Sequence, residues 1–152
     1  MSRLSPMLFA LSFSFATSSQ AFDANQVKKL AALRECRACD LSGAVLPFAT
    51  LKNADLSGAD LSGANLKGAD LSGAVLKGTN LSHADLSESD LNGANLGGAD
   101  LKGANLYSVN LLRANLTDAD LSTASNAGKV TVGEAVLCRT KLASGEENRD
   151  CK

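Results

Sequence analysis

Aromatic residues are scarce in this chain, with five Phe, one Tyr and no Trp among 152 residues. An ordinary globular core of this size uses more rings, so the composition favours a repetitive architecture. Neither charge dominates, because 15 basic residues stand against 16 acidic ones. This balance argues against a polybasic protein that binds nucleic acid or a membrane surface. We therefore expect no nucleic-acid partner.

The first 21 residues have the composition of a secretory signal peptide. Arg3 provides a basic start, Leu4 to Ala16 is largely apolar, and Ser19-Gln20-Ala21 places small residues before Phe22. The apolar stretch is shorter than the roughly 20 residues that cross a bilayer, which argues against a retained anchor. We expect export with cleavage and no membrane insertion afterwards. The periplasm is the first expectation for the compartment, with the thylakoid lumen or the extracellular medium as alternatives.

Leucine recurs at every fifth position from Leu41 to Leu121, which gives seventeen consecutive copies. A small residue, usually Ala, stands two places before each Leu, and Asp or Asn directly precedes fourteen of them. Successive Leu would encircle an α-helix and would alternate between the faces of a straight strand. A chain that turns through a quarter circle every five residues points every Leu to one axis, and the frequent Gly, Asn and Asp suit such turns. The pattern predicts an all-β solenoid of stacked square coils.

The repeats Ala54–Gly58, Ala59–Gly63 and Ala64–Gly68 resemble those of the pentapeptide repeat family. The resemblance implies a right-handed quadrilateral parallel β-helix with twenty residues per coil. It also implies an alternative function, because some members are DNA-mimicking inhibitors of topoisomerases. Those members resemble longer and strongly acidic rods, whereas this chain is nearly neutral and begins with an export signal.

Four segments follow from these patterns: the signal peptide 1–21, an N-terminal cap 22–38, the regular repeats 39–123, and degenerate repeats with a C-terminal cap 124–152. In the N-terminal cap, Asp23 or Asn25 could begin a short helix over Ala24 to Arg34 that covers the first coil. The apolar side of this capping helix comprises Val27, Leu30, Ala31 and Leu33.

In the last segment, one inserted residue near Ser125-Asn126 restores the five-residue register. The central positions of these degenerate repeats would then be Ala127, Val132, Leu137 and Leu142. The charged tail from Ser144 to Lys152 is expected to fold over the last coil, because an open coil end invites association with other chains.

All four cysteines lie near the ends of the repeats. A disulfide needs Cα atoms within about 7 Å, whereas the stack separates its two ends by about 20 Å. The sequence therefore predicts the pairs Cys36–Cys39 and Cys138–Cys151, as suits an exported chain. The CxxC motif also permits a redox-active site, but such motifs usually open a helix next to a strand. A zinc site would require all four thiolates together.

Residues for catalysis are few. His83 is the only histidine, and it occupies an outward turn position with no orienting partner. The glycines recur at five-residue spacing and do not form a phosphate-binding loop. We therefore predict no catalytic, cofactor-binding or metal-binding residues and no cofactor.

Two surface groups are candidates for interaction. A twenty-residue coil predicts that one wall stacks the acidic column Asp40, Asp60, Asn80, Asp100 and Asp120. This column is interpreted either as a solvated wall or as a docking strip for a basic partner or a weak cation site. The second group comprises Tyr107, Leu112 and Arg113, a small contact patch.

The leading functional hypothesis is a non-catalytic exported scaffold or interaction module whose partner is a protein. The alternatives are a DNA-mimicking topoisomerase inhibitor and a CxxC redox protein. The sequence does not indicate an oligomeric state.

Overall fold

The computed structural model describes residues 24–127, 130–147 and 150–151. Within these ranges, one helix, α1 (Ala24–Leu33), precedes the repeats, and two short strands, β1 (Thr140–Leu142) and β2 (Gly145–Glu147), follow them. The two strands form an antiparallel hairpin. The expected signal peptide lies outside the described residues.

The repeats form stacked coils in which one residue of each pentapeptide pairs in parallel with the residue twenty places later. Bridges run in this register from the pair Glu35 and Asp55 to the pair Asn105 and Ser125. The coil therefore has four walls of five residues each, which makes the fold a quadrilateral parallel β-helix. We name the walls by their first members: wall 1 contains 34–38, wall 2 contains 39–43, wall 3 contains 44–48 and wall 4 contains 49–53.

The leucines fill the interior of the coils. Sixteen of the seventeen regular leucines are at most 4% exposed, and Leu46 in the first coil is the exception. The small residue two places before each Leu also points inward. Where it is polar it bonds to the backbone, as Thr79 Oγ1 donates to the Leu56 carbonyl at 2.9 Å. Rings are unnecessary because Leu and Ala together fill each layer.

A tight turn closes each wall. In the second wall, the Ala44 amide donates to the Leu41 carbonyl at 3.0 Å, and Gly43 lies between them with φ of 66°. Positive φ at the third residue alone is the signature of a type II turn, which favours Gly. Phe48 and His83 nevertheless adopt this conformation, with φ of 56° and 58°.

Helix α1 covers part of the first coil. Leu30 is buried, as expected, but Leu33 is 64% exposed, so its assignment to the apolar side is wrong. The reason is that the helix ends at Leu33. The next residue, Arg34, has φ of 52° and already belongs to wall 1. The β-helix therefore begins at Glu35, inside the segment assigned to the cap. Asp23 lies outside the described residues.

The stack continues beyond the regular repeats with the predicted one-residue insertion. Asn105 pairs with Ser125 at a separation of twenty, whereas Asn110 pairs with Thr131 at twenty-one. Leu137 is buried in this last coil, but Val132 is 36% exposed. The final coil is therefore covered less completely than the regular ones.

Candidate interaction surface

The Asp and Asn residues of the repeats bind their own turns. In all fourteen cases, Oδ1 accepts the backbone N–H of the residue two places later, at 2.9–3.2 Å. This arrangement is the Asx turn, which satisfies an amide that the coil-to-coil bonds leave unused. The preference for Asp and Asn before Leu therefore has a structural cause.

The acidic column stacks along wall 2 as predicted, with bridges that join Asp40, Asp60, Asn80, Asp100 and Asp120 in order. Asn80 separates two carboxylates and donates from Nδ2 to Asp60 Oδ1 at 3.1 Å. At the lower end, the ammonium group of Lys102 bridges two carboxylates of the column. Its Nζ lies 3.2 Å from Asp100 Oδ2 and 3.3 Å from Asp120 Oδ2.

Hydrogen bonds stabilise the ionised carboxylates of this column. The Ser42 hydroxyl and amide lower the pKa of Asp40. The Ser122 side chain, with help from Lys102, lowers the pKa of Asp120 to about 2. Internal partners thus compensate both ends of the column, which favours the solvated-wall interpretation over a docking strip.

The structure divides the second predicted group between two walls. Tyr107 lies in wall 3 and is 43% exposed, whereas Leu112 and Arg113 lie in wall 4. The Leu112 side chain lies against Gly133 in the next coil, and Arg113 Nε donates to Glu134 Oε2 at 2.9 Å. Two of the three side chains therefore serve the packing of the last coil.

The cysteines form the two disulfides expected from the sequence. The Cα atoms are 5.3 Å apart in Cys36–Cys39 and 4.8 Å apart in Cys138–Cys151. Cys36 is fully buried and Cys39 is 7% exposed. A substrate thiol cannot reach a buried disulfide, so this geometry disfavours the redox interpretation. In the described part of the chain, no group of three or more His, Cys, Asp and Glu residues is placed to hold a metal ion.

The single histidine contributes to the wall. The ring of His83 is exposed and lies over Gly103, where the absence of a Cβ makes room for it.

Among the described residues, no helix has both the length and the apolar character needed to span a bilayer.

A cavity of about 450 Å³ opens at the C-terminal end of the stack. Its lining is almost entirely aliphatic, and Ser144 is the polar member. The cavity follows from the sequence of the last coil, because Ala127 and Val132 stand where regular coils carry Leu. The tail reaches this end, where Ala143 and Ser144 line the cavity.

The family comparison accounts for these coils. A family model described as pentapeptide repeats matches eight copies within residues 35–73, 54–95, 69–106 and 84–122, which together exceed half of the chain. The chain belongs to the pentapeptide repeat family. Pentapeptide repeat proteins fold into right-handed quadrilateral β-helices, which fixes the handedness of the coil.

Solved structures of other pentapeptide repeat proteins resemble this chain. Rfr23 from the cyanobacterium Cyanothece 51142 is 37% identical and has a TM-score of 0.70, over 74% of this chain and 89% of its own. A pentapeptide repeat protein from the thylakoid lumen of Arabidopsis thaliana is 32% identical with a TM-score of 0.39, over 77% of this chain and 71% of its own. No curated protein matches the sequence significantly.

The pentapeptide Ala44–Phe48 of the first coil departs from the family pattern at two positions, and the sequence analysis assigned it no role. Ala44–Phe48 has Val in place of Asp or Asn and Pro in place of the residue whose amide would be bound. Val45 offers no oxygen and Pro47 has no N–H, so the Asx turn is lost without leaving an unpaired donor. Val45 and Phe48 are 68% and 71% exposed. The combination of Val45 and Pro47 was the signal that could have identified this apolar pentapeptide.

Proposed function

We propose that this pentapeptide repeat protein is a non-catalytic exported scaffold that binds another protein. The observation that carries the proposal is the use of polar side chains in the walls. All fourteen Asp and Asn side chains before core leucines are bound to their own turns. Groups committed to the backbone in this way are poorly placed to act as general acids or bases.

Export is the second part of the proposal. The leader-like residues 1–21 and the two disulfides both suit a chain that matures in an oxidising compartment. The disulfides also support a rigid rod, because Cys36–Cys39 cross-links the first coil and Cys138–Cys151 fixes the tail to the last one. Such a rod presents fixed surfaces whose geometry changes little on binding.

The test combines the site of cleavage with capture of a partner. The full chain is expressed in its native host, the N-terminus of the mature product is sequenced, and neighbouring proteins are cross-linked in the intact compartment. We expect cleavage after Ala21 and a reproducible cross-linked protein partner. An uncleaved cytoplasmic product that inhibits DNA supercoiling would instead establish the DNA-mimic alternative.

The redox alternative has its own control. Replacement of both Cys36 and Cys39 by Ser removes the disulfide, which should lower stability and leave no catalytic rate to lose. A thiol–disulfide exchange rate in the native protein that disappears in this variant would contradict the proposal.

A further inference from the structure

The N-terminal cap leaves one corner of the first coil open. Leu46 and Ala49 are only partly buried, although their equivalents one coil below, Leu66 and Ala69, are fully buried. On the other side of the same coil, Leu41 is also fully buried. Helix α1 therefore covers the coil unevenly, and the uncovered corner lies between walls 3 and 4.

At the same corner, two backbone groups have no hydrogen-bond partner among the residues that the structure describes. In the coils below, the equivalent residue Asn65 donates to Ala44 and accepts from Leu46, at 2.9 and 2.8 Å. In the first coil, Val45 forms neither bond with any other described residue. Its amide and carbonyl face away from the stack, as the exposed edge of a sheet does, and such an edge accepts an added strand.

Apolar side chains flank this edge. Val45 and Phe48 are both about two-thirds exposed or more. Phe48 also adopts positive φ, a conformation that disfavours bulky residues and that Gly provides in most repeats. Its ring lies against Gly68 in the coil below, and the residue is nevertheless largely exposed. A ring held against the coil below is available to pack against the side chain of a bound protein segment.

The N-terminal part of the chain carries an excess of positive charge, and two of its cations lie beside wall 4. Residues 24–53 contain five basic and two acidic residues, whereas residues 54–100 contain two basic and seven acidic ones. Arg34 and Lys52 are adjacent, since Arg34 Nη1 donates to the Lys52 carbonyl at 3.4 Å. The Ser72 hydrogen bonds lower the pKa of Asp70, and the positive charges of Lys52 and Arg34 lower it further by smaller amounts. Since Asp70 lies in wall 4, both cations act on that wall.

We propose that this corner binds an extended segment of a partner protein that carries alternating apolar and acidic residues. The segment adds to the edge at Val45, places apolar side chains against Leu46 and Phe48, and sets its carboxylates near Lys52 and Arg34. This inference rests on the proposed scaffold function and assigns it a binding surface and a class of partner.

The test uses the mature chain and a short fluorescent peptide in which valine alternates with glutamate. We expect saturable binding that weakens with salt, and slower hydrogen exchange at the Val45 amide in the complex. Phe48→Gly should weaken binding about tenfold. The same variant should not lower the unfolding midpoint, because Gly suits positive φ at this position. Ser108→Gly, in the same wall and turn position three coils below, is the matched control.

Each outcome decides the proposal. Absence of peptide binding, equal affinity for a peptide with lysine in place of glutamate, or equal effects of Phe48→Gly and Ser108→Gly would overturn it. Binding of anionic vesicles in preference to the peptide would also overturn it. If Phe48→Gly captures the native partner as well as the unaltered chain does, the scaffold function stands and this surface is the wrong one.

Discussion

Truncation of two equivalent leucines should measure how well the N-terminal end of the β-helix is covered. Leu46 and Leu66 occupy the same wall one coil apart, but Leu66 is fully buried and Leu46 is only partly buried. Each is replaced by Ala in a separate variant. Because both substitutions remove the same atoms, any difference in stability reports the environment alone.

The expected losses follow from burial. Leu66→Ala leaves a closed cavity between two coils and should cost about 3 kcal/mol, within the usual range of about 2–5 kcal/mol for buried leucine. Leu46→Ala should cost about half as much, because part of this side chain is already in water and water can fill the space. Fraying of the first coil would reduce the stability loss of Leu46→Ala further.

Equilibrium unfolding in guanidinium chloride, followed by circular dichroism, provides the two free energies, and the slopes should match that of the unaltered chain. Equal losses at the two positions would refute the open corner. Losses below about 0.5 kcal/mol at both positions would refute the leucine core itself, because such values are typical of surface substitutions.

Three further predictions concern the walls and the C-terminal end. Gly103→Ala should destabilise the chain more than Gly78→Ala in thermal melts, because both have positive φ but only Gly103 lies under a ring; equal losses would contradict this packing. Replacement of Cys138 and Cys151 by Ser should cost about 3 kcal/mol of unfolding free energy for a loop of this length, and an unchanged value would show that the tail is fixed by other contacts. The lowered pKa of Asp120 stabilises the fold above pH 4, and this contribution is lost as the pH falls through about 2. The free energy of unfolding should therefore fall less steeply with decreasing pH in Asp120→Asn than in the unaltered chain. Parallel pH curves for the two proteins would contradict the lowered pKa.

The acidic column has a structural cause that the periodic sequence alone does not reveal. Asp40 and Asp120 lie in one column, as the twenty-residue coil requires. Each Asp first accepts the amide of its own turn, and Lys102 then compensates the lower carboxylates. These bonds explain why Asp recurs along this column.

The five-residue period by itself determined the architecture of this protein. A side chain that recurs at that spacing can be buried throughout only if the chain turns at every repeat, so the leucines specify square coils. The same period predicts the insertion near Ser125. It also predicts the cysteine pairs, because residues at opposite ends of a stack cannot meet.

Only the tertiary structure decided how the ends are finished. The repeat fixes which residues share a wall, but the docking of α1 depends on contacts that occur once, such as that of buried Leu30. The exposure of Leu33, the open corner at Leu46 and the ring of Phe48 against Gly68 all follow from that placement or from one side-chain rotamer. Periodicity specifies what every coil has in common, whereas these features belong to one coil and arise from packing that no other coil repeats.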